Sequence, residues 1–74
     1  MENVLQEFGQ RLKVLRKKKG LKQIEMAELM DMTDRNYQRI EYGQINVSAT
    51  TLIFLSDFFG VTTDYLLGRA DQTN

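Results

Sequence analysis

The sequence predicts an all-α fold, and three observations carry that reading. Apolar residues recur at three- and four-residue spacing along most of the chain, no stretch alternates apolar and polar residues as a half-buried strand would, and proline is absent while Gly20, Gly43, Gly60 and Gly68 each follow a helical stretch. Helix 1 carries Leu5, Phe8, Leu12 and Leu15 on one stripe. Helix 4 follows a Ser48 cap and offers Leu52, Leu55 and Phe59, and a short helix 5 after Thr62 adds Leu66.

The stretch 23–41 lies between these elements and organises the chain. Met26, Ala27 and Met30 mark one face of helix 2, and Tyr37 and Ile40 mark one face of helix 3. Asp31-Met32-Thr33 separates them. Thr33 is a good N-cap, because its hydroxyl can accept from a free backbone N–H one turn on, and Asp34 then places negative charge at the positive end of the helix dipole. Ala27 is small enough to let two helices joined by a short turn approach closely. The result is a helix, a tight turn and a second helix whose outward face is polar: Asp34, Arg35, Asn36, Gln38 and Arg39. Arg, Asn and Gln pair donors and acceptors with base edges in the major groove. A solvated helix face can show the same composition.

Length and composition exclude several classes. Seventy-four residues make one domain near the lower limit at which a core alone holds a fold. With no cysteine and no histidine, disulfide frameworks, thiolate zinc sites and histidine chemistry are all excluded. The longest strongly apolar run, 52–55, is too short to span a bilayer, and residues 1–10 lack the order of a signal peptide, so a cytoplasmic protein is expected. No glycine-rich phosphate loop follows a strand and no nucleophile has a neighbouring base, which argues against an enzyme. No cofactor and no small-molecule ligand are implied.

Ten basic and ten acidic residues give zero net charge, whereas nucleic-acid binders usually carry a basic excess. The distribution is uneven. Arg11, Lys13, Arg16, Lys17, Lys18, Lys19 and Lys22 are the only charged residues between Phe8 and Ile24, and after Ile24 only Arg35, Arg39 and Arg69 are basic. Lys17, Lys18 and Lys19 suit a helix C-terminus for dipole reasons, and the same lysines can lie near phosphates.

The segment 8–68 resembles the lambda-repressor-like, or Xre-type, helix-turn-helix family of five-helix DNA-binding domains. The residues that carry the resemblance are FGQRLKVLRKKKGLKQ (8–23), MAEL (26–29), the run 33–43 with RIEYG at its end, and LSDFFGVTTDYLLG (55–68). The resemblance implies one DNA-binding domain over 1–68, with 69–74 a short frayed tail. It implies helix 3 in the major groove, with Asp34, Arg35, Gln38 and Arg39 facing bases and Thr33 and Asn36 nearer the backbone. Lys22 and Gln23, at the start of helix 2, join the phosphate-side set, the glutamine with help from free backbone N–H groups. Arg16 and Glu41 fall where the family often has an ion pair tying helix 1 to the end of the recognition helix.

Some positions depart from the family. Lys22 stands where a threonine or serine commonly caps helix 2, so that helix is expected to lose about 1 kcal/mol of capping. Asp31 replaces the usual turn glycine. The loop 44–47 lacks the lysines and the proline often found there, so lower non-specific affinity and a shallower salt dependence are expected.

Partners complete the reading. Ile24, Leu29, Phe54, Phe58, Tyr65 and Leu67 exceed what one small core needs, and apolar surface on that scale often marks an interface. A homodimer built mainly from Phe58, Tyr65 and Leu67 is expected, presenting two recognition helices to half-sites about 34 Å apart on near-palindromic double-stranded DNA. The expected function is that of a sequence-specific regulator, of the repressor type. The alternative is a protein-interaction module on the same fold, for which zero net charge, the uncharged loop and the spare apolar residues also suit.

Overall fold

Five helices, and no strand, occupy the residues described by the computed structural model, 3–69. In chain order they are α1 (Val4–Lys18), α2 (Gln23–Leu29), α3 (Asp34–Glu41), α4 (Ala49–Phe59) and α5 (Thr63–Leu66). Most of the segment 69–74 lies outside the described residues. Arg69 lies inside, and its backbone N–H donates to the Asp64 carbonyl at 2.8 Å.

The core is where the helical periodicity puts it. Phe8, Leu12 and Leu15 of α1, Met26 and Ala27 of α2, Tyr37 and Ile40 of α3, Leu55 of α4 and Leu66 of α5 are all buried. Leu5 is only half-buried, at the open end of the α1 stripe. Around this centre pack Leu52, Phe58, Phe59 and Tyr65, and also Ile45 and Val47 from the loop after α3. That loop therefore turns alternate side chains, Ile45 and Val47, onto the core and leaves Gln44 and Asn46 exposed. Lysines in place of Ile45 and Val47 would have to leave the core.

Helix starts are capped by side chains that the sequence supplies locally. Asn3, Thr33, Ser48 and Thr62 each accept a hydrogen bond from the backbone N–H three residues on, at 3.0–3.1 Å. Lys22 has no acceptor to offer α2. The Glu25 carboxylate nevertheless reaches back to the Lys22 N–H at 2.7 Å, supplying the second half of a capping box. The expected capping loss at α2 is thus partly offset.

The turn between α2 and α3 has a left-handed residue at Asp31, with φ of 55°. The Asp31 N–H donates to the Glu28 carbonyl at 3.2 Å and the Met32 N–H to the Ala27 carbonyl at 2.9 Å, the paired bonds of a Schellman ending. Asp31 is the one non-glycine residue with positive φ among the described residues. Replacing it by glycine should remove that cost and raise stability by up to about 1 kcal/mol, the gain trimmed by the freer unfolded chain. A thermal melt of Asp31→Gly checks this; a lowered midpoint would show that the aspartate side chain stabilises the turn.

Two glycines bring α1 against the end of α3. A Cβ built on Gly9 would lie 2.2 Å from the Glu41 carbonyl oxygen, and one on Gly43 would lie 2.6 Å from Gln6 Cα. Backbone meets backbone at both places. Gly43 has the further reason of a φ of +73°.

Candidate nucleic-acid interface

α3 is pinned from behind. Tyr37, Ile40 and Glu41 turn into the protein, which forces Arg35 and Arg39 to the opposite side of an eight-residue helix. Arg35, Asn36 and Arg39 are exposed, and Gln38 is half-buried at the margin. Thr33 caps the helix, its hydroxyl accepting from the Asn36 N–H at 3.1 Å. Asp34 is only half exposed. Its Oδ1 is buried with no hydrogen-bond donor, so part of the carboxylate is turned toward the protein at the positive end of the helix.

The pinning depends on one polar cluster. Arg16 Nε donates to Glu41 Oε2 at 2.6 Å and Arg16 Nη2 to Oε1 at 3.3 Å, with 7% of Arg16 and 5% of Glu41 exposed. The Tyr37 hydroxyl donates to Glu41 Oε2 at 2.6 Å, and Gln23 Nε2 donates to Oε1 at 3.1 Å. Arg16 Nη1 reaches the Leu21 carbonyl at 2.7 Å. One carboxylate therefore gathers α1, the start of α2 and two turns of α3.

The protonation states follow from this geometry. Burial pushes the Glu41 carboxyl up, but the hydrogen bonds from Arg16, Tyr37 and Gln23 and the Arg16 charge outweigh it, holding the group below its ordinary value of 4.5. The hydrogen bond to Glu41 raises the Arg16 guanidinium further despite its burial. Burial, then the bond to Glu41, pushes the Tyr37 phenol well above its ordinary value of 10.0. At neutral pH the cluster holds one anion, one cation and a neutral phenol.

Gln23 belongs to this cluster as well as to the start of α2. One amide proton goes to Glu41, and an amide nitrogen carries two, so the other is free for an external acceptor. Lys22 is exposed beside it. The sequence reading assigns Gln23 no link to Glu41. It also misses Tyr42, which is 55% exposed and lies on the same outward side of α3 as Arg35 and Arg39 by helical spacing. An exposed tyrosine three and seven residues beyond two arginines was the available signal.

The expected dimer residues are mostly engaged already. Phe58 and Tyr65 pack against the core, and Leu67 is half-buried. Lys19 Nζ sits 5.0 Å from the Phe58 ring centroid, which also stacks on Phe54 at 5.8 Å. The large apolar side chains left more open, besides Tyr42, are Val4 and Val14 of α1 and Ile24, Leu29, Ile53 and Phe54. Leu29 and Phe54 line one shallow groove between the end of α2 and the start of α4.

Five helices with a pinned second helix of a helix-turn-helix and an outward row of arginines define a lambda-repressor-like domain. The chain belongs to the helix-turn-helix family, whose sequence pattern it matches over residues 12–66 and whose members are non-enzymatic DNA-binding proteins. It is 42% identical over 60 residues to the SPbeta prophage-derived uncharacterized HTH-type transcriptional regulator YonR of Bacillus subtilis, covering 81% of this chain and 56% of that protein. It is 39% identical over 62 residues to the HTH-type transcriptional regulator ImmR of the same organism, covering 84% of this chain and 49% of that protein. The chain thus spans about half the length of these relatives. No helix among the described residues is long and apolar enough to cross a membrane.

Proposed function

We propose that the domain is a sequence-specific transcriptional regulator of the repressor type that inserts α3 into the major groove of double-stranded DNA. The observation that carries this is the fixed outward face of α3: Arg35 and Arg39 are exposed one turn apart while Tyr37, Ile40 and Glu41 lock the other side. Arg35 is the principal base-reading residue, its fork spanning the two major-groove acceptors of a guanine, a contact worth about 1–3 kcal/mol of discrimination. Gln38 and Arg39 read or brace beside it, and Asp34 contributes at the entering end of the helix. Lys22, Gln23, Thr33 and Asn36 hold the backbone.

The protein acts as a two-fold dimer on a near-palindromic operator, through helices α4 and α5. Phe58, Tyr65 and Leu67 form the floor of that interface, and the more open Phe54 and Ile53 extend it. Binding of a labelled duplex, followed by fluorescence anisotropy between 50 and 200 mM salt as about the usual working range, tests the function. Affinity should fall as a straight line on logarithmic axes. Absence of binding at the low-salt end would transfer the function to the protein-interaction alternative, with Ile24, Leu29 and Phe54 as its surface.

A further inference from the structure

The basic run of α1 is divided by the fold. Lys19 lies over Phe58 on the α4 side, and Arg11 is held beside Glu7 at 3.8 Å with its guanidinium against Gly68. Neither faces α3. Gln6, Gln10, Lys13 and Lys17 follow one another at helical spacing on a different, exposed stripe that contains no carboxylate among the described residues. Gln6, Gln10 and Lys13 share an open cleft with Tyr42, whose floor is Glu41. That floor carries no free charge, because its carboxylate is paired with Arg16 and bonded to Tyr37 and Gln23.

The cleft exists because of the two glycines. Gly9 and Gly43 let the backbone of α1 lie directly on the end of α3, and this sets the α1 stripe beside Tyr42 with no intervening side chain layer. Tyr42 in turn continues the outward row of Arg35 and Arg39. The polar stripe of α1 is therefore continuous with the recognition face.

We infer that this stripe is a second DNA contact, in which Lys13, with Gln10 and Tyr42, holds the sugar-phosphate backbone of the duplex next to the half-site read by α3. The inference rests on the DNA-binding reading above. The chemistry fits the ligand: an ammonium supplies charge, an amide and a phenol supply directed donors, and among the described residues no unpaired acid lines the cleft. Lys17 lies one turn further along the same stripe. Lys18 falls to another side of α1 and Lys19 lies over Phe58, so of the three consecutive lysines only Lys17 shares the stripe of Lys13.

The test compares the parent with Lys13→Gln and Lys18→Gln on one operator duplex and one unrelated duplex, measuring the slope of log affinity against log salt. Lys13, Lys18 and Tyr42 are all exposed, and a thermal melt of each variant checks that the fold is unchanged. Lys13→Gln should lower the slope by about 0.9 on both duplexes, the loss of one neutralised phosphate, while Lys18→Gln leaves it at the parent value. Tyr42→Ala should weaken both duplexes alike without altering the slope. An unchanged slope in Lys13→Gln, or an equal drop in Lys18→Gln, overturns the α1 contact while the parent's binding stands. A parent that does not bind at all removes the DNA reading and this contact together.

Discussion

Glu41→Ala is expected to lose on the order of 3–5 kcal/mol of stability. The substitution leaves the Arg16 guanidinium buried without its carboxylate, and it strips the Tyr37 hydroxyl and the Gln23 amide of their acceptor. Small domains have little to spare against such a loss, since native stability is only about 5–15 kcal/mol in general. A drop of more than about 12 °C in melting midpoint follows from the usual 4–8 °C per kcal/mol for a chain of this size. The double change Arg16→Met with Glu41→Leu should be less damaging than Glu41→Ala, because no buried charge is stranded. An unchanged midpoint in Glu41→Ala would mean that the cluster is decorative.

The same residue sets an acid limit. Because the folded Glu41 carboxyl lies below its unfolded value of 4.5, its contribution is complete above that value and is lost as pH falls through the depressed folded value. The direction is fixed by proton count: below 4.5 the unfolded chain binds the proton first, so acid favours unfolding.

Gly9→Ala is expected to cost several kcal/mol for a different reason. The added methyl would sit 2.2 Å from the Glu41 carbonyl oxygen and 2.8 Å from that of Ile40, which are backbone atoms at the end of α3 that have no rotamer to change. Overpacking usually costs about 1–3 kcal/mol, and contact against backbone at this distance belongs at or above the top of that range. The helix-propensity gain from alanine, about 1 kcal/mol, does not offset it. Chemical denaturation of Gly9→Ala measures the balance. A stabilised Gly9→Ala protein would show that α1 can move away from α3 freely, which would also loosen the link between the α1 stripe and the recognition face.

The helices and the core were legible because both depend on short-range pattern. Thr33, Ser48 and Thr62 announce three helix starts, and the buried set from Phe8 to Leu66 follows spacing alone. Long-range polar contacts were less so. Arg16 and Glu41 lie 25 residues apart, and only the family resemblance put them together; Gln23 and Tyr37 joined the same carboxylate without any resemblance pointing there. The i,i+4 spacing of Tyr37 and Glu41 was a readable sign of their bond. Gly9 was readable too, since glycine inside a helix weakens it and so marks close packing. The loop 44–47 read as a departure from the family because it lacks lysines, whereas its Ile45 and Val47 serve the core. Excess apolar residues were visible, but which remain open depends on how α4 and α5 lie, and Phe58 and Tyr65 proved to be largely occupied by the core.

The central claim is that α3 reads bases through Arg35. Selection of bound duplexes from a random pool, run in parallel on the parent and on Arg35→Ala at one stated salt concentration, tests it most directly. The parent should enrich a two-fold-symmetric motif, and Arg35→Ala should lose preference at one base of each half-site while keeping the rest. Identical motifs from both proteins, or no enrichment from the parent at low salt, would contradict the account.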